Sequence, residues 1–212
     1  RVDFVAMEFN QGKVTHLYSD QKSADASSAA DKIDGEGATL LPGLIDAHGH
    51  IASHGQALSA VDLVGSPSEA DSADRVKAFI DAHPDDEWIM GRGWNQVLWP
   101  GKQFPHRSAL DKVSGDKVVA LRRIDGHAMW VNSKALQLAG IDDDTPDPEG
   151  GQILRDAQGQ ATGVLIDLAM GLVGSLQPPT DDQVMQGFAL TAMQDLASQG
   201  LTSVHDAGIN AQ

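Results

Sequence analysis

The sequence contains no cysteine, which excludes disulfides and thiolate metal ligands within the chain but leaves its compartment open. Basic residues are scarce: 15 Lys and Arg stand against 30 Asp and Glu, a formal net charge of −15. Such a chain repels polyanions, so neither nucleic acid nor an anionic membrane is expected as a partner, and the excess charge serves solubility. No apolar run approaches the roughly 18 residues needed to span a bilayer. Met is missing from position 1 and no signal-like apolar region follows Arg1, which predicts a processed or trimmed chain. A soluble protein is expected, with a cytoplasmic location favoured over a periplasmic one. Aromatic residues make up only 5% of the chain, so the places where tryptophan does occur carry weight below.

What is present suffices for a core: 212 residues with 41% hydrophobic content predict one large domain, or one and a fraction. Val2 to Phe9 and Lys13 to Ser19 read as strands joined by a hairpin at Asn10-Gln11-Gly12. Asp20 to Asp31, rich in Ser, Ala and Asp without apolar periodicity, reads as a mobile loop. Ser68 begins a capping box for a helix whose Ala73, Val76, Phe79 and Ile80 share a face, ending near His83-Pro84. Ser108 with Asp111 reads as the start of a short helix, Asn132 to Ala139 is helical with Gly140 as its stop, and Thr180 caps a helix running to Gly200. Residues 151–166 suggest a hairpin inserted near the mouth of a site.

Three apolar strands end in acid and imidazole groups: Asp46-Ala47-His48-Gly49-His50, Asp125-Gly126-His127 and His205-Asp206. In the first, strand alternation puts Asp46, His48 and His50 on one face, so both imidazoles point the same way, as ligands of zinc or a similar divalent metal must. One such ending is weak evidence. Three suggest successive elements delivering polar groups to a common rim, as the C-terminal face of a (β/α)8 barrel does. Against this stands the plainer reading that Asp125 and Asp206 cap turns and that His127 and His205 are hydrogen-bonded structural residues. Trp94, Trp99 and Trp130 fall in loops or at strand ends, where a substrate pocket and local packing are about equally expected. Arg92 and Arg123 could meet a substrate carboxylate or pair with the chain's own acids, the second being favoured.

The segments "LLPGLIDAHGHI", "GRGWNQVLWPGKQFPHRSALDKVS", "VVALRRIDGHAMWVNSKAL", "TPDPEGGQILRD", "TGVLID" and "GLTSVHDAG" together resemble the amidohydrolase superfamily, specifically its family 3 or YtcJ-like branch, which includes N-substituted formamide deformylases. The likeness runs from about Leu40 to Gly208. It implies an α/β fold: the first strands of a (β/α)8 TIM-type barrel (residues 42–212), with a small N-terminal β unit (residues 1–41) belonging to a composite sandwich. It also implies a metal-dependent hydrolase of non-peptide carbon–nitrogen bonds, acting by metal-activated water on a small amide or formamide. His48 and His50 would hold one or two divalent ions, most simply zinc. Asp46, Asp125, His205 and Asp206 would be orienting groups behind the ligands, although for Asp46 a structural hydrogen bond to backbone is equally expected, and Trp94, Trp99, His127 and Trp130 would line the pocket. The general acid/base Asp and the remaining ligands are expected beyond Gln212. Two alternatives stand beside this reading: a cyclic amide or ester hydrolase, and a non-catalytic metal-binding or barrel fragment. Because a barrel needs eight strands and about 250 residues, the 212 residues alone are expected to be inactive and to need the rest of the barrel or to self-associate.

Overall fold

The computed structural model describes residues 3–208, and the chain divides into two compact units, Arg1–Pro42 and Gly43–Gln212. In the first, β1 (Ala6–Asn10) and β2 (Lys13–Tyr18) pair antiparallel, joined by Gln11 and Gly12, which both have positive φ, the geometry that matches a two-residue turn to strand twist. Val2, placed in the first strand from sequence, lies outside the described residues. The segment expected as a loop contains a helical turn, α1 (Gln21–Asp25), because Asp20 caps it by accepting from Ser23 N at 2.9 Å.

The second unit starts with β3 (Leu44–Gly49) and α2 (Ile51–Leu58). It continues through β4 (Val61–Asp62), α3 (Glu69–Ala82), β5 (Trp88–Trp94), α4 (Arg107–Ser114), β6 (Val118–Arg123), β7 (Ala128–Val131) and α5 (Ser133–Leu138). Then come β8 (Gly151–Arg155), β9 (Ala161–Asp167), α6 (Met170–Gly174), α7 (Asp182–Ser198) and β10 (Leu201–Asp206). Among the described residues, β3 pairs only with β10, in parallel, although nearly the whole unit separates them in sequence. Everything between builds its own six-stranded sheet in the order β4-β5-β6-β7-β9-β8, parallel across β4, β5 and β6 and antiparallel beyond.

This topology corrects the expectation that the strand ending in Asp125-Gly126-His127 delivers its groups to the same rim as β3, because that strand and β5 lie in a different sheet. They belong to the six-stranded sheet, and the Asp125-Gly126-His127 ending is the turn of the β6–β7 hairpin, made possible by Gly126 at φ 81°. The near-continuous apolar runs have a physical cause: both faces of this sheet are covered. Val119, Leu121, Trp130 and Val164 pack with Val76 of α3 and Leu110 of α4 on one side. Val118, Ala120, Met129, Val131 and Leu165 pack with Leu136 of α5 and Val173 of α6 on the other.

The helix starts follow side-chain chemistry, with two shifts from the sequence reading. Ser68 caps α3 by accepting from Asp71 N at 3.0 Å, and Asn132 caps α5 by accepting from Ala135 N at 3.1 Å. However, His106 rather than Ser108 caps α4, its Nδ1 accepting from Ser108 N at 3.2 Å. Asp111 instead reaches α5, accepting from Ser133 N at 2.8 Å and Oγ at 2.7 Å. The cap of α7 is Asp181, one residue past Thr180.

α7 packs on α2 so closely that a Cβ built on Gly55 would fall 1.8 Å from the Phe188 carbonyl oxygen. Backbone cannot yield as a flexible side chain does. Gly55→Ala is therefore expected to force the helices apart and lower stability by about 2 kcal/mol, the middle of the range for overpacking. Urea unfolding checks it; an unchanged midpoint would mean the helices do not touch there.

Candidate metal centre

β3 delivers His48 and His50 to one exposed surface, with ring centroids 5.3 Å apart and ring planes at 88°. Neither ring has a hydrogen-bond partner among the described residues, so ring nitrogens of both remain open to a ligand. The backbone around them is fixed by two carboxylates. Asp46 Oδ1 accepts from His48 N at 3.0 Å, which pins the strand end rather than either imidazole. Asp206, on the paired strand β10, accepts from Ile51 N at 2.7 Å through Oδ2 and from Gly208 N at 2.7 Å through Oδ1. A carboxylate there meets the first N–H of α2, which His50 leaves without a side-chain cap.

Two glycines let the strands close on this site. A Cβ on Gly49 would lie 2.6 Å from Val204 Cγ1, and one on Gly208 would lie 2.7 Å from His50 Nδ1. The structure thus brings His48, His50, Asp46 and Asp206 to one strand-end region. His205, next to Asp206, is exposed and has no ring partner among the described residues. Likewise, among the described residues no group of three or more His, Cys, Asp or Glu side chains is arranged to hold a metal ion. The pair therefore fits the imidazole half of a metal site, with two donors of suitable chemistry on a rigid strand end.

The other acid–imidazole group stands in the six-stranded sheet. His127 is three-quarters exposed and its Nδ1 donates to Asp167 Oδ1 at 2.8 Å. Asp125 Oδ1 accepts from His127 N at 3.0 Å, and Arg123 pairs with Asp125. The Asp167 hydrogen bond, then the charges of Asp167 and Asp125, hold the His127 pKa above its usual value. Sequence reasoning missed Asp167: it lies forty residues from His127, and only the β7–β9 pairing makes them neighbours. A raised pKa means that the pair contributes its stability at pH below the ordinary value, about 6.5, and loses it as pH rises through the folded value. In an imidazole NMR titration His127 is expected to titrate above an exposed histidine, and Asp167→Asn should bring it back down. No change in that variant would remove Asp167 as the cause.

The tryptophans are core residues, which corrects the pocket expectation. Trp94 and Trp130 are 0% exposed and Trp99 5%, packed with Val61, Ile89 and Leu110. Trp94 Nε1 donates to Leu121 O and Trp99 Nε1 to Ser66 O, each at 2.9 Å, so these polar edges are spent on backbone. The three rings lie 6.1–6.3 Å apart, centroid to centroid. Trp94 also meets Phe104 edge-on at 6.4 Å. Arg123 is tied to Gln96 at 2.8 Å and to Asp125, as favoured from sequence, whereas Arg92 has no such partner among the described residues.

Residues 31–212 match the model of the amidohydrolase family. The chain belongs to that family. It is 34% identical over 205 residues to YtcJ of Bacillus subtilis (strain 168), covering 97% of this chain and 39% of the other. It is 32% identical over 195 residues to an N-substituted formamide deformylase of Arthrobacter pascens, covering 88% and 36%. The chain thus spans well under half the length of these relatives. A crystal structure of an uncharacterized metal-dependent hydrolase from Pyrococcus furiosus shares the fold, with a TM-score of 0.63 at 24% identity over 93% of this chain and 39% of that one. Among the described residues no helix is long and apolar enough to cross a membrane.

Proposed function

We propose that this amidohydrolase-family chain belongs to a metal-dependent hydrolase that cleaves non-peptide carbon–nitrogen bonds in small amides or formamides. The observation that carries the reading is the pair His48 and His50, open and adjacent at the end of β3. His48 and His50 would hold a divalent metal, zinc foremost. When bound, that metal supplies Lewis acidity and a water whose pKa is lowered toward about 7. The chain's own part is positional. Asp46 fixes the backbone at His48, while Asp206 fixes the turn after His50 and the start of α2.

In this reading β3 and β10 are neighbouring strands of a (β/α)8 barrel, with the six-stranded sheet inserted between them and β1–β2 contributing to a separate sandwich. Parallel pairing supports it, as does the exposure of Leu44 and Ile45, 60% and 65%, on a sheet that has two strands among the described residues. Such a surface calls for cover by further strands or by a second copy. The similarity to an N-substituted formamide deformylase favours amides over the cyclic amides and esters that the same superfamily also hydrolyses.

The test is chelation of the full-length protein followed by return of zinc, manganese or iron, assayed on N-substituted formamides, a cyclic amide and an ester. Activity on the formamide should vanish with the metal and return with it. Turnover that survives chelation would overturn metal dependence, and turnover confined to the ester or cyclic amide would replace the substrate class.

A further inference from the structure

Arg92 and Arg122 are register partners on the neighbouring parallel strands β5 and β6. Partners in a parallel ladder send their side chains to the same face, about 4.8 Å apart at the backbone. Both residues are exposed, and neither guanidinium has a hydrogen bond or ion pair among the described residues. Like charges side by side on a sheet are destabilising. Arg75 holds Asp71, Arg123 holds Asp125 and Arg155 holds Asp147, while Arg107, at the start of α4, also lacks a partner among the described residues but has no arginine beside it in a strand register. In a chain with twice as many acids as bases, two adjacent unpaired arginines are out of keeping.

The neighbours form no ion pair with them among the described residues. Asp62, the register partner of Arg92 on β4, is turned onto the backbone, its Oδ1 accepting from Val64 N at 2.9 Å. On the other side Arg122 stands opposite Met129. The two arginines continue the face of Met90 and Ala120 beyond the packed cluster formed with α5 and α6. They do so at the C-terminal ends of β5 and β6, where open α/β sheets carry ligands.

We propose that Arg92 and Arg122 form a binding site for an oxyanion, the carboxylate or phosphate group of a small molecule. Two guanidinium forks one strand apart match the oxygens of such a group and are relieved of mutual repulsion when it binds. The net charge of −15 turns away a polyanion and leaves a small ligand as the occupant. The two arginines stand on a different sheet from His48 and His50, and the test involves no turnover.

The test follows the arginine Nε–Hε NMR signals while malonate, inorganic phosphate or chloride is added at matched ionic strength. Those of Arg92 and Arg122 should saturate together with malonate, with phosphate or with both, while Arg107 serves as the control. Saturation by malonate alone identifies a carboxylate ligand, and saturation by phosphate alone a phosphate ligand. The anion should raise the melting temperature of the wild type and not that of the Arg92→Gln/Arg122→Gln variant. The paired Lys variant should bind about tenfold more weakly, since an ammonium keeps the charge and loses the fork. Equal response to chloride, unsaturable shifts, or unchanged binding in the Gln variant would overturn the proposal.

Discussion

Trp94→Ala is expected to cost about 3–5 kcal/mol of folding stability, the usual range for emptying a buried aromatic site. A domain of ordinary stability holds only about 5–15 kcal/mol, so the variant should unfold at much lower urea and lose a large part of its folded population at 37 °C. The size of the effect follows from where the ring sits. Trp94 is fully buried, contacts Trp99, Phe104 and Trp130, and satisfies Leu121 O. Its removal leaves a cavity under the six-stranded sheet and takes one donor away from Leu121 O. Trp94→Phe should recover much of the packing but not the hydrogen bond. If the alanine variant kept its urea midpoint while kcat/KM fell, Trp94 would be a pocket residue after all.

Loss of both imidazoles should act in the opposite way. His48 and His50 are exposed and carry no ring hydrogen bond among the described residues, so His48→Ala/His50→Ala should leave the unfolding midpoint nearly unchanged. Hydrolysis by the full-length protein should nevertheless fall about a thousandfold or more, because metal ions contribute several kcal/mol to such barriers and each 1.36 kcal/mol is a factor of ten. Activity within tenfold of wild type would mean that these two residues do not hold the metal. Gly208→Ala makes a gentler probe: its Cβ would crowd His50 Nδ1 and should impair activity while both imidazoles remain.

Local features of the fold were legible because their causes are local. Ser68, Asn132 and the Gln11-Gly12 turn act within a few residues of themselves, and each stands where its chemistry placed it. The His48/His50 face follows from strand alternation alone. What escaped was pairing at a distance. "VVALRR" reads as a buried strand in any sheet, and nothing in it says that its neighbours are β5 in parallel and β7 in antiparallel. Asp125-Gly126-His127 resembles the chemistry-bearing end of a barrel strand as much as it resembles a hairpin turn. The tryptophans misled for a related reason. Trp94 and Trp99 flank loop-like sequence, yet the 3₁₀ turns after Asn95 fold that segment back so that both rings are buried.

The central claim is that His48 and His50 together bind a divalent metal. It is tested most directly by titrating zinc into the protein while following the imidazole NMR signals of all eight histidines. The signals of His48 and His50 should move together and saturate at one metal per chain, and binding should disappear from the His48→Ala/His50→Ala variant. Zinc that leaves those two signals unmoved, or that binds the variant with the same affinity and stoichiometry, would contradict the account.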